Sequence, residues 1–155
     1  MILLFLVSLL VTFHQTESNP FLWSIAGLVP TTSSIGPLVT HVVLFQFKNG
    51  VNPTGIKSIN AQMLALKKTC KHPVTGKQYI KYISGGLDNS KEGLQNGMTH
   101  AFVLQFENTE DRDYYVDEDP AHAAFKKQAA AILEKSQVID FKDNVFFPPA
   151  SPKAQ

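Results

Sequence analysis

GMTHAFVLQFENTEDRDYYVDEDPAHAAF, residues 97–125, carries a strand, two helix starts and two histidines in one short run. From Met98 the residues Met98, His100, Phe102, Leu104 and Phe106 fall on alternate positions, the period of a strand with one face against a core. His100 therefore shares a face with large apolar side chains. Asn108 stands where a helix N-cap belongs, with Asp111 three residues on, and predicts a short acidic helix over 109–117. Asp119-Pro120 then restarts the helix, Asp as cap and Pro at the first helical position, where a missing N–H costs nothing. His122 consequently falls in the first turn, near the positive end of the helix dipole, which favours a neutral imidazole.

Upstream, VTHVVLFQF (39–47) alternates so that Val39, His41, Val43, Phe45 and Phe47 share one face, yet the other face is nearly as apolar. Ile56, Ile59, Met63 and Leu66 mark an amphipathic helix running from Thr54 to near Cys70. Pro73 and Gly76 make 71–78 a loop, and YIKYISGGL (79–87) is a second strand whose Gly85-Gly86 pair suggests a bulge or a close backbone approach. Downstream, an Ala-rich helix is expected over 121–135 and a last strand over 136–141. The order β, α, β, β, α, α, β predicts an α+β fold of the ferredoxin-like kind, a four-stranded antiparallel sheet with helices on one face. The second sheet face, with Val42, Leu44, Ala101 and Val103, is too apolar for open water and predicts pairing with a second copy of the chain.

At 155 residues the chain has the length of one domain, expected over 38–147, with 148–155 as a tail. Residues 2–13 form an apolar run, followed by polar HQTESNP, a second apolar patch at 21–29 and the linker-like TTSSIGP. For 1–37 three readings fit: a signal peptide, an interrupted membrane anchor, or sequence outside the mature protein. Secretion follows if 1–18 is a signal peptide, and a cytoplasmic protein otherwise. Fourteen basic residues against thirteen acidic ones, scattered along the chain, form no basic stripe, so neither nucleic acid nor a membrane surface is an expected partner of the folded domain. Cys70 is alone, so no internal disulfide is available; three nearby lysines would lower its thiol pKa, while the ordinary reading is a cysteine at a helix end. No H-x-x-x-H or H-x-H spacing, phosphate loop or G-x-S-x-G occurs, and no metal or cofactor is expected.

What remains for chemistry is histidine and tyrosine. A neutral His122 suits a base that removes a proton beside a carbonyl, with a donor for the resulting enolate. His100 is placed to face the same helices, with Tyr114 or Tyr115 as donor and His41 one strand away. The competing reading makes His41 and His100 buried residues bonded to a backbone carbonyl, His122 a capping or surface residue, and the tyrosines core packing.

VTHVVLFQFK, GMTHAFVLQFE, DRDYYVDEDPAH and QVIDFKDNVF together resemble the stress-responsive A/B barrel (Dabb) domain family over about 38–147. The resemblance implies a dimeric α+β barrel built from two ferredoxin-like subunits. At His41, His100 and His122 the chain is also similar to the olivetolic acid cyclases, which close a linear polyketide by aldol condensation without a cofactor. That likeness implies acid–base roles for His100 and His122 with Tyr115, and a ligand pocket including His41, Tyr114, Phe102, Phe125 and Met63. Met63 stands where those cyclases carry a tyrosine. Three functions are therefore expected: a dimer binding a small apolar carbonyl compound between sheet and helices, a cofactor-free cyclase or lyase, or a structural dimer without catalysis.

Overall fold

Pairing on both sides makes β1 (Val39–Phe47) one of the two inner strands of the sheet. The structure is a computed structural model and describes residues 36–147; the amino-terminal signal-like segment, up to residue 35, and the tail 148–155 lie outside the described residues. The remaining elements are α1 (Pro53–Thr69), β2 (Ile80–Leu87), β3 (His100–Phe106), α2 (Thr109–Asp117), α3 (Pro120–Ile132) and β4 (Leu133–Lys142). All pairs are antiparallel, in the order β2-β3-β1-β4. This is the ferredoxin-like arrangement expected from the element order. No helix among the described residues is long and apolar enough to cross a membrane.

Each helix starts on a side-chain cap. Asn52 accepts from the Thr54 N–H at 2.8 Å, Asn108 from Asp111 at 2.7 Å, and Asp119 from both Ala121 at 2.8 Å and His122 at 3.0 Å. The core forms where the inner faces of β1 and β3 meet the helices: Val43, Phe45, Phe102, Leu104 and Phe106 against Ile59, Met63, Leu66, Tyr115 and Phe125. Burying each such side chain stabilises the fold by about 1.5–3 kcal/mol before chain entropy is counted.

Two boundaries differ from the sequence expectation. The last helix stops at Ile132, and Leu133 to Lys135 belong to β4, with Leu133 opposite Phe47 and Lys135 opposite Gln46 across a bulge. Ladder bonds to β1 outweigh the helix propensity of the alanine run, and the Lys48 N–H closes the corner on Ile132 O at 3.0 Å. β3 starts at His100, because Met98 lies in a turn closed by its N–H on Gln95 O at 2.9 Å. The irregularity of β2 lies between Ile80 and Tyr82. Gly85 serves the other purpose: a Cβ there would overlap the Phe102 ring.

The register fixes what lies on the second sheet face. Val42 is opposite Val103 and Ile139, Leu44 opposite Ala101 and Gln137, Thr40 opposite Gln105 and Phe141. Ile139, Phe141 and Tyr82 are each about half exposed there.

Candidate functional site

The antiparallel register sets Asp140 of β4 directly opposite His41 of β1, on the helix-facing side of the sheet. The His41 Nδ1–H is donated to Asp140 Oδ1 at 2.6 Å, since the carboxylate can only accept. Arg112, from the first turn of α2, pairs with the other carboxylate oxygen and with Asp113. Asp140 therefore orients the His41 ring and leaves its Nε2 directed away from the ion pair.

His122 reaches the same place from the first turn of α3. Its backbone N–H is held by Asp119, and its ring Nδ1 lies 2.7 Å from the main-chain oxygen of Tyr115. A carbonyl accepts only, so Nδ1 carries the proton and Nε2 of the neutral ring keeps its lone pair. Burial lowers the His122 pKa to about 4, partly opposed by the bond to that carbonyl. The ring is thus neutral at pH 7.

Tyr115 is the third member. Its ring stacks on His122, centroids 3.8 Å apart, and meets His41 edge-on at 5.7 Å. It is fully buried, its hydroxyl has no hydrogen-bond partner among the described residues, and burial raises its pKa well above the ordinary phenol value. An unpaired buried hydroxyl costs about 1–3 kcal/mol and favours any ligand that brings an acceptor.

These groups line one end of a cavity of about 580 Å³ between α3 and β4. The rest of its wall is mostly apolar, with Val43, Phe45, Met63, Phe125, Ala129 and Val138, joined by the polar Lys126, Glu134, Lys135 and Ser136. A volume of this order suits a small organic ligand with most of its surface buried.

Of the residues expected from sequence, the fold brings His41, Met63, Tyr115, His122 and Phe125 together around this cavity. It does not bring His100 there. The two strand positions differ along the sheet, His41 being opposite Leu104 and His100 opposite Phe45. His100 instead lines a separate depression, with its edge on Phe47 at 5.0 Å. Its Nδ1 is 2.9 Å from Thr99 Oγ1, whose own proton goes to Phe45 O, so the histidine donates. Burial lowers its pKa. Phe102 packs on Phe45 and Gly85 inside the core, and Tyr114 packs on Tyr79 at 5.6 Å; neither lines the cavity. Adjacent helical residues point about 100° apart, so only one of the tyrosine pair can enter.

Asp140 and Arg112 were absent from the sequence expectation, and their signal lay in the pairing: once β4 is set against β1, residue parity puts an acid opposite His41. Cys70 is fully buried and its thiol is pushed up to about 12, first by burial and then by the nearby Asp119 carboxylate. The neighbouring lysines leave it inert. No cluster of metal-binding side chains occurs among the described residues.

Residues 39–143 match the family of the stress responsive A/B barrel domain, which defines the class of this fold. The chain belongs to that family. The stress-response A/B barrel domain-containing protein HS1 of Arabidopsis thaliana is 36% identical over 107 residues, covering 69% of this chain and 90% of HS1. Two solved structures share the fold. The hydroxynitrile lyase of Passiflora edulis has a TM-score of 0.61 at 24% identity, over 72% of this chain and 98% of its own. A dimeric ferredoxin-like protein of unknown function from Jannaschia sp. has a TM-score of 0.55 at 16% identity, over 68% and 98%.

Proposed function

We propose that the protein is a homodimer, paired through the second sheet face, that binds a small apolar carbonyl compound in the cavity between α3 and β4. The observation that carries the ligand is the buried Tyr115 hydroxyl without a partner among the described residues, next to the apolar stretch of wall made by Val43, Phe45, Phe125 and Val138. A ketone or ester oxygen would accept from it while the hydrocarbon part lies on Val43, Phe125 and Val138. The pairing is supported by a face on which β1 and β3 carry no charged side chain, only Thr40, Val42, Leu44, Gln46, Ala101, Val103 and Gln105. Thermal melting of the full chain with 2-decanone tests the binding. A ligand that binds only the folded state raises the melting temperature, and Tyr115→Phe should remove most of the rise. No rise with the native chain would contradict the ligand.

One observation favours a second reading, proton transfer. Neutral His122, with Nδ1–H fixed on Tyr115 O and Nε2 free, is a base at pH 7, and Tyr115 is a donor for the enolate oxygen. The step moves a proton from the carbon beside the carbonyl onto Nε2 and leaves an enolate held by the Tyr115 hydroxyl, as the first half of a cyclase- or lyase-type reaction would require; with nothing for the enolate to attack, Nε2 exchanges its proton with solvent and reprotonates that carbon. In D2O the native protein would exchange the α-hydrogens of 2-decanone for deuterium, visible by NMR, and His122→Gln would not. Ligand binding without exchange would leave a carrier, and a dimer that does neither would be a structural one.

A further inference from the structure

Two neighbouring main-chain oxygens at the end of α2 have no partner within the helix. The Asp119 N–H turns back to Tyr114 O at 2.9 Å and so misses Tyr115 O, while Pro120 has no N–H to give to Val116 O. Side chains of α3 take both. His122 donates to Tyr115 O at 2.7 Å, and Lys126, one turn further along α3, donates its Nζ to Val116 O at 2.8 Å. Successive carbonyl oxygens of a helix lie roughly 3.5 Å apart, so the ammonium is held within about 9 Å of the His122 Nδ1. The last turn of α2 has no basic residue of its own, and Lys126 brings positive charge to that end of its dipole. Capping occupies only one of the three ammonium donors. Lys126 also lines the cavity, and it forms no ion pair with a carboxylate among the described residues. Of the other charged groups in the wall, Asp140 is paired with Arg112, and Glu134 and Lys135 carry opposite charges. Lys126 therefore sets the sign of charge that a ligand meets there.

We infer that Lys126 is an anion subsite of this cavity and that the ligand is an oxo acid, its keto oxygen on the Tyr115 hydroxyl and its carboxylate on the two remaining N–H groups of Lys126. The inference rests on the carbonyl reading put forward above and adds a charge to the ligand. Because ring and ammonium are held so close, the keto and carboxylate groups stand only a few carbons apart, and the hydrocarbon end lies on Val43, Phe125 and Val138. Hydrogen bonds from an ammonium to a carboxylate are roughly twice as strong as neutral ones, so the charge should favour the acid over an uncharged analogue of the same size. The ligand's charge also bears on the base. After burial, the Lys126 ammonium helps to hold the His122 pKa down, and a carboxylate placed on it would offset that effect and leave Nε2 a stronger base.

Calorimetric titration of the full chain with 5-oxodecanoate and with its neutral analogue 5-oxodecanamide, at low salt and pH 7.5, tests this. The native chain should bind the acid about fivefold tighter than the amide or better, and added salt should shrink the difference. Lys126→Gln should bring the two affinities to within about twofold of each other, and Lys126→Arg, which keeps the charge, should restore the preference. The comparison of acid with amide in the native chain needs no variant, so it stands even where loss of the α2 cap unfolds Lys126→Gln. A lysine that only caps α2 gives equal affinities. Equal affinities in the native chain, or a preference that survives in Lys126→Gln, overturn the anion subsite and leave the carbonyl site standing. Binding of 2-decanone without binding of either oxo compound does the same. A native chain that binds none of the three overturns the subsite and the carbonyl site together.

Discussion

The imidazole of His122 lies stacked on the ring of Tyr115 at 3.8 Å and donates its Nδ1–H to the main-chain oxygen of the same residue at 2.7 Å. One residue thus fixes both the plane of the ring and its tautomer. The stack exists because Asp119 ends one helix and begins the next: its N–H bonds Tyr114 O at 2.9 Å, while its carboxylate holds the N–H of His122 and the Tyr79 hydroxyl at 2.6 Å. A buried carboxylate with that many partners positions the histidine without touching its ring.

The first prediction concerns pH. In the folded chain His122 has a pKa of about 4, against about 6.5 for an unfolded histidine. Between these values the unfolded chain binds a proton that the folded one does not. The stability that His122 contributes is complete above pH 6.5 and falls as pH drops towards 4, by at most on the order of 3 kcal/mol. Urea unfolding at pH 7.5 and 4.5 should show a smaller loss in His122→Gln than in the native chain, the difference being the share of His122. Equal losses in both would mean that His122 is not buried as a neutral ring.

Tyr115→Phe separates binding from stability. The hydroxyl is buried and unpaired, so its removal should leave the urea midpoint unchanged or raise stability by up to about 1 kcal/mol, while affinity for 2-decanone falls. A variant destabilised by more than about 2 kcal/mol would show that the hydroxyl has a partner in the folded protein.

Asp140 accepts from both His41 and Arg112, so its loss should be felt at both. Asp140→Ala leaves the Nδ1–H of the buried His41 and one side of Arg112 without an acceptor, and should cost on the order of 1–3 kcal/mol. A double-mutant cycle of Asp140→Ala with His41→Ala should give a coupling energy of at least about 0.5 kcal/mol, and a cycle with the distant Ser58→Ala none. Additivity with His41→Ala would contradict the hydrogen bond.

How far the chain could be read without its structure follows the range of the physics involved. Local signals were plain: Asn108 and Asp119 cap the helices that their positions announce, and alternation along 39–47 and 100–106 marks the two central strands. The partners of those strands were not, because alternation gives a face but not a register. His100 and His41 fall on the helix-facing side by parity, yet only the pairing shows that they sit four residues apart along the sheet and therefore open into different hollows. Asp140 was hidden for the same reason. The alanine run misled at 133–135, where helix propensity is a weak preference beside ladder bonds to β1.

Gly85 shows how a local signal with two readings becomes a single one once the register is known. A glycine pair in a strand suits either a bulge or a close approach, and β2 has its bulge elsewhere, between Ile80 and Tyr82. A Cβ at Gly85 would overlap the Phe102 ring and come within 2.8 Å of Ala101 O on the paired strand. Phe102 cannot retreat easily, being 2% exposed and packed on Phe45 at 5.3 Å. Gly85→Ala should therefore destabilise the protein by about 1–3 kcal/mol in urea unfolding, an overpacking cost. Phe102→Leu also destabilises, by leaving a void, but the void lies where the new methyl needs room. The double variant should accordingly lose less than the sum of the two single losses, by at least about 0.5 kcal/mol. Strict additivity would place the strain on the Ala101 carbonyl alone, and a neutral Gly85→Ala would mean that the strand can shift away from Phe102.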